Sequence, residues 1–205
     1  MNYQIIEIQS EHIDSVVKIH LSTFPNFFLT FLGPGFLKEF YRSFTYDPQG
    51  IGYIALDSET QQVLGVVVGP LVPDGYFKRL LIHRWWAFCL ASIGAVSRKP
   101  KVIKRLFRAL FYRGESPPGP TRSLLSSLAV APKAHGQGIG RALVNAWTNH
   151  IQKLGIQGCF LSTDAIDNDA VNNFYRKLGW KLELSKKTPQ GRLMNYYALD
   201  FPVNE

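Results

Sequence analysis

The sequence predicts a mixed α/β fold in a single domain, residues 1–205, and three observations lead to this prediction. The chain has 205 residues, of which 46% are hydrophobic, so it is long enough to bury a substantial core. Segments with apolar residues at helical spacing alternate with short runs rich in β-branched and aromatic residues. No long polar linker, repeat or low-complexity tract divides the chain. The order of elements is β-α-α-β-β, a basic helical segment, and then β-α-β-α-β-β, which indicates a sheet with helices on its faces.

The first part of the chain predicts a strand, two helices and a hairpin. A strand is expected over residues 3–8, followed by a helix that Ser10 caps and Pro25 ends. The apolar face of this helix contains Ile13, Val16, Val17, Ile19 and Phe24. A second helix is expected from about residue 29 to 44, with an interruption at the Gly-Pro-Gly of residues 33–35. The stretch GYIALDSETQQVLGVVVGPL predicts a hairpin of strands 52–57 and 62–69.

The second part predicts strands and helices in alternation. A strand over 122–130 leads into a glycine-rich turn and then into a helix whose buried face includes Leu143, Trp147 and Ile151. The remaining expected elements are a strand at GCFLSTDA, a helix over 168–178, and strands at WKLELS and RLMNYYALDF.

The net charge of +8 belongs to one segment. About residues 76–113 form a basic helical insert with ten Lys or Arg and no acidic residue, whereas the rest of the chain has 13 basic and 15 acidic residues. A basic amphipathic helix close to Trp85 and Trp86 suits an anionic membrane surface or an anionic nucleotide-sugar. A solvated helix covering the sheet is the alternative. No nucleic acid is expected, because no recognised reader motif accompanies the charge.

The cysteine usage and the N-terminus predict a reduced cytoplasmic protein. Cys89 and Cys159 are too few for a disulfide framework, and no Cys/His spacing suits zinc, so no metal is expected. The N-terminus lacks a basic stretch followed by an apolar one, so we expect no signal peptide. The apolar run near residues 80–96 is interrupted by polar residues and is too short to span a bilayer. Contact at the inner face of the membrane is expected only through the basic insert.

Three glycines in five positions, within VAPKAHGQGIGRAL, raise the question of an anion site at the start of a helix. A P-loop is excluded, since Gly140 is followed by Arg141 and not by Lys. A dinucleotide fingerprint needs G-x-G-x-x-G, and this turn is one residue short of it. A tight turn without a ligand is the remaining alternative.

The turn resembles the pyrophosphate loop of the GNAT superfamily of acyl-CoA-dependent N-acetyltransferases. Val130-x-Pro132 ends the preceding strand, and the loop then reads His135-Gly136-Gln137-Gly138-Ile139-Gly140-Arg141. The family usually has Arg or Gln where His135 stands. A second block, DNDAVNNFYRKLGWKLE, resembles the family's other recurrent segment and follows about 30 residues later with a strand between. The resemblance covers about residues 1–75 and 120–200.

The resemblance implies a GNAT fold with a mixed, mostly antiparallel central sheet and helices on both faces. It implies acetyl-CoA as co-substrate, direct attack by a primary amine, and Tyr175 as the general acid. An amide near Leu128 or Ala129 would polarise the thioester carbonyl. The residues expected to bind the co-substrate are Leu128, Ala129, Val130, His135, Gly136, Gln137, Gly138, Ile139, Gly140, Arg141, Asn168 and Asn172.

The general base and the acceptor stay open at this point. Many relatives have Glu on the strand where this chain has Ser126 and Ser127, and the candidates are His20, Glu39, Asp164 or a chain of waters. The aromatic segment 20–44 resembles acetyltransferases of bacterial surface-polysaccharide and amino-sugar pathways, which implies an amino sugar or a nucleotide-linked amino sugar as acceptor. The alternatives are a peptide or protein amine, or a non-catalytic CoA-binding module recruited to membranes. The oligomeric state is not predicted.

Overall fold

The computed structural model describes residues 2–25, 27–88, 121–189 and 191–202. The strands are β1 (Tyr3–Glu7), β2 (Gly50–Asp57), β3 (Val63–Pro70), β4 (Arg122–Leu124), β5 (Ser127–Val130), β6 (Gly158–Asp164), β7 (Lys181–Lys187) and β8 (Leu193–Asp200). The helices are α1 (Ile13–Thr23), α2 (Phe28–Leu32), α3 (Pro34–Tyr46), α4 (Tyr76–His83), α5 (Ile139–Lys153) and α6 (Asp169–Lys177). Short 3-10 turns precede α1 and α5, at Ser10–His12 and Pro132–Ala134. Most of the predicted basic insert lies outside the described residues.

The predicted mixed fold is confirmed, and the local details differ at the start of α1. Gly33, with φ +93°, separates α2 from α3 as the sequence predicts. The prediction that Ser10 caps α1 is wrong. The helix begins at Ile13, and the preceding turn is closed by the Gln9 amide, which donates to His12 Nδ1 at 3.0 Å. The Ser10 hydroxyl instead lies 3.4 Å from Thr45 Oγ1 on α3.

The strands form two four-stranded sheets, in the orders β1-β2-β3-β5 and β4-β6-β8-β7. Every pair is antiparallel except β4 with β6. The prediction of one continuous strand over 122–130 is therefore wrong. The Leu125 amide donates to Phe160 on β6 at 2.9 Å, and the very next amide, Ser126, donates to Val68 on β3 at 2.9 Å. The chain thus changes sheets between these two residues.

This change of partner opens a gap between β5 and the second half of β6. β4 pairs with Gly158, Cys159 and Phe160, whereas the rest of β6 pairs with β8 alone among the described strands. The crossing is tight, since a Cβ built on Gly69 would lie 1.9 Å from the Leu124 carbonyl oxygen. Only glycine at residue 69 lets β4 pass this close to the end of β3.

The core lies on both sides of β3, whose residues are nearly all buried. Helices α1 and α3 pack against one side of the first sheet, and α5 packs against β3, β2 and β5. Large side chains fill this space, and Trp147, Tyr41 and Tyr76 are each 0% exposed. Because the first sheet is held between helices, the edge of β5 that faces the gap is fixed in place.

Candidate active site

Two glycines of the turn adopt backbone conformations that favour glycine, and the third does not. Gly136 and Gly138 have φ of +76° and +79°, a left-handed conformation that other residues adopt only with strain. Gly140 belongs to the first turn of α5 and has no such φ. A Cβ on Gly140 would lie 3.5 Å from the Phe174 ring and 3.8 Å from the Val130 side chain, which is ordinary contact. The protein itself therefore gives no reason for glycine at residue 140.

The turn presents six consecutive amides without a protein acceptor. The Ala142 amide donates to the Gly138 carbonyl at 3.0 Å and starts the hydrogen-bond ladder of α5. No described residue accepts a hydrogen bond from the amides of residues 136–141. These donors lie at the positive end of a 15-residue helix, where the dipole favours negative charge. The exposed Arg141 side chain adds a cation that no described carboxylate pairs.

The side chains of the turn fasten it to the end of β5. His135 Nε2 donates to the Val130 carbonyl at 2.9 Å, and Thr23 Oγ1 donates to the same oxygen at 3.3 Å. Gln137 Nε2 donates to the Lys133 carbonyl at 3.3 Å. Ile139 is 1% exposed, so its side chain belongs to the core and does not contact a ligand. His135 thus positions the turn, although it differs from the residues usual in the family.

The hydrogen-bond register of β5 shows which of the two candidate amides, Leu128 or Ala129, faces the gap. The Ala131 amide donates to Leu64 on β3 at 2.8 Å, so alternate residues of β5 direct their backbone groups to β3. Ala129 is one of them, and it exchanges hydrogen bonds with Val66. Leu128 directs its N–H and C=O away from β3, into the gap, where no described group meets them. Leu128 is therefore the donor available to a ligand in the gap.

Tyr175 lies on α6 among other aromatic rings and is 5% exposed. Its ring centroid is 5.1 Å from that of Phe174, 5.6 Å from that of Trp180 and 6.2 Å from that of Tyr197. Burial raises the pKa of the Tyr175 hydroxyl well above its usual value, so the group stays protonated at neutral pH. The hydroxyl makes no hydrogen bond within the described part of the chain, which leaves it free to donate.

Asn172 lies on α6 and Asn168 immediately precedes it, and the two differ in how many of their polar atoms are already hydrogen-bonded. Asn172 is 2% exposed, and its Nδ2 donates to the carbonyls of Asp164 and Asn168 at 2.9 and 2.8 Å. Its Oδ1 accepts from Asn195 Nδ2 at 2.8 Å and from the Tyr197 hydroxyl at 3.0 Å. Every polar atom of this amide is thus committed within the protein. Asn172 fastens α6 to β6 and β8, and this geometry favours positioning over ligand contact.

Asn168 keeps one polar atom available. It precedes α6 but makes no capping bond, because its Nδ2 donates to Thr163 Oγ1 at 2.8 Å and to the Asp164 carbonyl at 3.1 Å. No described residue pairs its Oδ1. Of the two asparagines, Asn168 is therefore the one able to accept a hydrogen bond from a ligand.

The candidate bases differ in whether their charge is already paired. Asp164 binds Arg192 through both oxygens, at 2.8 and 2.6 Å, and Glu39 binds Arg42 at 2.9 Å and Arg84 at 2.6 Å. His20 is 1% exposed, and burial lowers its pKa to about 4, so its ring is neutral at pH 7. No three metal-ligating side chains converge in the described ranges.

The sequence analysis did not single out Arg192 or Tyr41, which the structure links to predicted residues. The Arg192 guanidinium lies 5.8 Å from the Phe27 ring, so it links the segment after α1 to the start of β8. Tyr41 lies 2.8 Å from His20 Nδ1 and 3.0 Å from Ser127 Oγ. These contacts join residues far apart in the chain, and therefore no local pattern could indicate them.

One segment of the chain matches a known protein family. Residues 107–182 match the model of the acetyltransferase (GNAT) domain, which includes the glycine turn and α6. This part of the chain is therefore similar to a GNAT acetyltransferase domain. The match begins at residue 107, within the basic insert, whereas the sequence resemblance covers this part of the chain only from about residue 120.

The curated relatives include two kinds of acetyltransferase. The chain is 43% identical to mycothiol acetyltransferase of Pseudarthrobacter chlorophenolicus over 53 residues, 26% of this chain and 16% of that protein. It is 30% identical to N-alpha-acetyltransferase 30 of Schizosaccharomyces pombe over 111 residues, 51% of this chain and 65% of that protein. The chain thus spans less than two thirds of either relative.

Solved structures agree with the fold over nearly the whole chain. Aminoglycoside 6'-acetyltransferase type Ii superposes with a TM-score of 0.64 and 17% identity, covering 98% of this chain and 99% of that one. The ribosomal-protein-S18-alanine N-acetyltransferase of Escherichia coli superposes with a TM-score of 0.61 and 14% identity, covering 100% and 97%. At these identities the agreement shows a common fold alone.

Proposed function

We propose that this protein transfers the acetyl group of acetyl-CoA to a primary amine. The observation that supports this most directly is the row of six amides, residues 136–141, for which the described part of the chain offers no acceptor. A pyrophosphate needs several donors at close range, and a helix N-terminus with a flexible glycine turn supplies them. The row follows directly after β5, and the unpaired edge of β5 faces the gap to β6, where we place the pantetheine arm.

In this proposal two groups of the chain act on the reacting atoms. The Leu128 amide donates to the thioester carbonyl oxygen and stabilises the negative charge that develops there. The Tyr175 hydroxyl supplies a proton to the leaving sulfur, and its raised pKa keeps that proton in place before the reaction. Acetyl-CoA supplies the activated acyl group, and His135 and Asn172 hold the surrounding backbone in position.

For the acceptor we propose an amino sugar or a nucleotide-linked amino sugar. Phe27 and Phe31 are 41% and 46% exposed, and Phe27 lies close to the Arg192–Asp164 pair at the end of β6. Exposed aromatic faces stack on sugar and base rings, and a charged pair beside them can hydrogen-bond hydroxyl groups. A peptide amine is the second candidate, because N-alpha-acetyltransferase 30 is among the relatives.

Calorimetric titration with acetyl-CoA, desulfo-CoA and NADH tests the co-substrate. We expect micromolar binding of both CoA compounds and none of NADH; absence of CoA binding would contradict the proposal. Acetylation of free amino sugars, nucleotide-linked amino sugars and peptides with free N-termini then tests the acceptor. Binding of acetyl-CoA without transfer to any of these amines would indicate a non-catalytic CoA-binding module.

Replacing Tyr175 by phenylalanine tests the general acid. General acid catalysis contributes at least about 100-fold to kcat, so Tyr175→Phe should lower kcat by that factor and leave the Kd of acetyl-CoA unchanged. Tyr53→Phe is the control. It also removes one tyrosine hydroxyl, but that hydroxyl is hydrogen-bonded to His150 and not to a residue of the proposed site. Equal kcat in Tyr175→Phe and the wild type would remove Tyr175 from the mechanism.

We further propose that the start of the basic insert contacts an anionic membrane surface. Ile82, Trp85 and Trp86 are 59%, 63% and 51% exposed and lie close in sequence to Lys78 and Arg79. Exposed tryptophans favour the membrane interface, and each cation near it contributes about 1 kcal/mol. No helix within the described ranges is long and apolar enough to cross a bilayer.

Vesicle co-sedimentation tests this contact. We expect binding to vesicles containing phosphatidylserine, none to neutral vesicles, and loss of binding in the variant Trp85→Ser/Trp86→Ser. Leu154→Ser, which changes a residue 52% exposed at the end of α5, serves as the control. Equal sedimentation of the wild type with both kinds of vesicle would contradict the proposal.

A further inference from the structure

Three polar side chains form a continuous hydrogen-bonded chain between the interior and β5. His20 Nδ1 on α1 lies 2.8 Å from the Tyr41 hydroxyl on α3, and that hydroxyl lies 3.0 Å from Ser127 Oγ on β5. His20 and Tyr41 are 1% and 0% exposed, whereas Ser127 is half-buried. Burying polar groups is costly, and an apolar trio of the same volume would pack this space without that cost.

The outer end of this chain lies beside the reacting atoms of the proposed function. Ser127 immediately precedes Leu128, whose amide faces the gap. Because neighbouring strand residues alternate in direction, the Ser127 side chain lies on the α1 and α3 side of β5. That side carries the aromatic residues proposed to hold the acceptor. Ser127 therefore connects the acceptor side of the gap with a buried imidazole.

We propose that Ser127, Tyr41 and His20 form a proton relay that takes the proton released by the amine during acyl transfer. The inference rests on the proposed acetyl transfer. The nitrogen lone pair forms the bond to the carbonyl carbon, and the N–H bond then breaks toward Ser127 Oγ. The Ser127 hydroxyl proton moves to the Tyr41 oxygen, and the Tyr41 proton moves to His20 Nδ1. The sulfur leaves with the proton of Tyr175. The His20 proton then returns along the same chain to solvent, and solvent reprotonates Tyr175.

The relay requires His20 to be neutral with Nδ1 as the acceptor, and its surroundings favour this form. Nε2 then carries the proton; this atom has no hydrogen-bond partner, and the ring packs edge-on against Phe24 at 5.0 Å and Phe27 at 6.4 Å. The groups that face the ring from α1, α3 and β5 are neutral, and burial alone holds the pKa of His20 at about 4. Such an imidazole stays unprotonated above about pH 5 and is ready to accept a proton.

A weak base is sufficient in this position. Once the nitrogen lone pair is engaged in the new bond, the remaining N–H proton is far more acidic than that of a free ammonium ion. The carboxylates near the gap are less suited, because Asp164 and Glu39 are each held by arginine. The relay thus takes the place of the glutamate that many relatives have on this strand.

Tyr41→Phe tests the relay by removing one oxygen from its centre. We expect kcat at saturating amine to fall about 100-fold, with the Kd of acetyl-CoA unchanged. Above pH 8 the loss should shrink, because hydroxide and the buffer base accept the proton that the relay cannot. The wild-type kcat should be flat from pH 6 to 8. This pH-dependent recovery distinguishes a proton-transfer role from a structural one.

Tyr76→Phe is a matched control. Tyr76 is also 0% exposed, and its hydroxyl donates to Ser43 Oγ on α3 at 3.2 Å, but it has no link to β5. We expect its kcat and pH profile to equal those of the wild type. Ser127→Ala, at the half-buried end of the relay, gives the same test if Tyr41→Phe does not fold.

The outcomes separate a failure of the relay from a failure of the proposed acetyl transfer. An active wild type with Tyr41→Phe and Ser127→Ala equally active at pH 7 overturns the relay and leaves the proposed acetyl transfer intact. A wild type that binds acetyl-CoA but acetylates no amine overturns the proposed transfer and the relay together. A loss of kcat that stays constant with pH also overturns the relay, since it indicates a structural effect.

Discussion

Replacing Gly140 by alanine separates a plain turn from a ligand-binding one, because it has opposite effects on folding and on binding. Gly140 has a helical conformation, and a Cβ there would lie 3.5 Å from Phe174 and 3.8 Å from Val130. Alanine therefore introduces no strain, and it raises the free energy of unfolding by up to about 1 kcal/mol through its greater helix propensity. For a protein of this size the expected rise in Tm is about 2–4 °C.

The same methyl group should weaken the binding of acetyl-CoA. It points toward Phe174 and Val130, next to the amides of residues 136–141 at the start of α5. Losing one hydrogen bond to a charged phosphate costs about 1.5–3 kcal/mol, which corresponds to a rise in Kd of about 10-fold to 100-fold. Titration calorimetry measures Kd, and differential scanning calorimetry measures Tm.

Gly136→Ala is the control for this experiment. Gly136 has φ +76° and no atom within 4 Å of a built Cβ, so alanine there meets strain but no clash. We expect a loss of about 1–2 kcal/mol in the free energy of unfolding. A Gly140→Ala protein that is more stable and binds acetyl-CoA with the wild-type Kd would refute the reasoning, because glycine at residue 140 would then serve no ligand.

Two further predictions follow from the backbone register and from a partly buried ion pair. Leu128→Pro removes an amide that faces the gap and breaks no bond to β3, so kcat should fall about 100-fold to 1,000-fold. Leu128→Ala keeps the amide and should retain most activity. Steady-state kinetics of both variants check this, and an unchanged kcat in the proline variant would contradict it. Arg122, which is 6% exposed, donates to both oxygens of Asp200 at 2.7 Å and holds the pKa of that carboxyl below its ordinary value of 3.8. This stabilisation is present above pH 3.8 and is lost as the pH falls through the lower pKa of the folded state, so Asp200→Asn should have a lower Tm at pH 7 and a flatter dependence of Tm below pH 4. Thermal unfolding from pH 2.5 to 7 measures both, and parallel curves for the wild type and the variant would show that the pair contributes nothing.

Much of the fold could be predicted from the sequence because the responsible signals are local. Short apolar runs rich in β-branched residues on either side of a polar turn indicated the β2–β3 hairpin, and helical spacing indicated α1 and α5. The glycine turn and the α6 block are contiguous motifs. They indicated the family that residues 107–182 match.

The relation between strands could not be predicted in the same way. The apolar pattern over residues 122–130 is continuous, and nothing in it indicates that Leu125 pairs with β6 while Ser126 pairs with β3. That change depends on the close passage of Leu124 over Gly69, more than 50 residues earlier in the chain. The gap that defines the candidate active site is therefore a property of the two sheets and not of either strand.

The sequence by itself indicated the resemblance to GNAT acetyltransferases, the glycine turn and the residues expected to bear chemistry, because a motif needs only neighbouring residues. The tertiary structure decided where each of them lies and which contacts it makes. It directed Leu128 and not Ala129 into the gap, it committed all polar atoms of Asn172 within the protein, and it joined His20, Tyr41 and Ser127 from three separate elements. Hydrogen-bond register and burial are set by contacts between distant segments, and these exist only once the chain has folded.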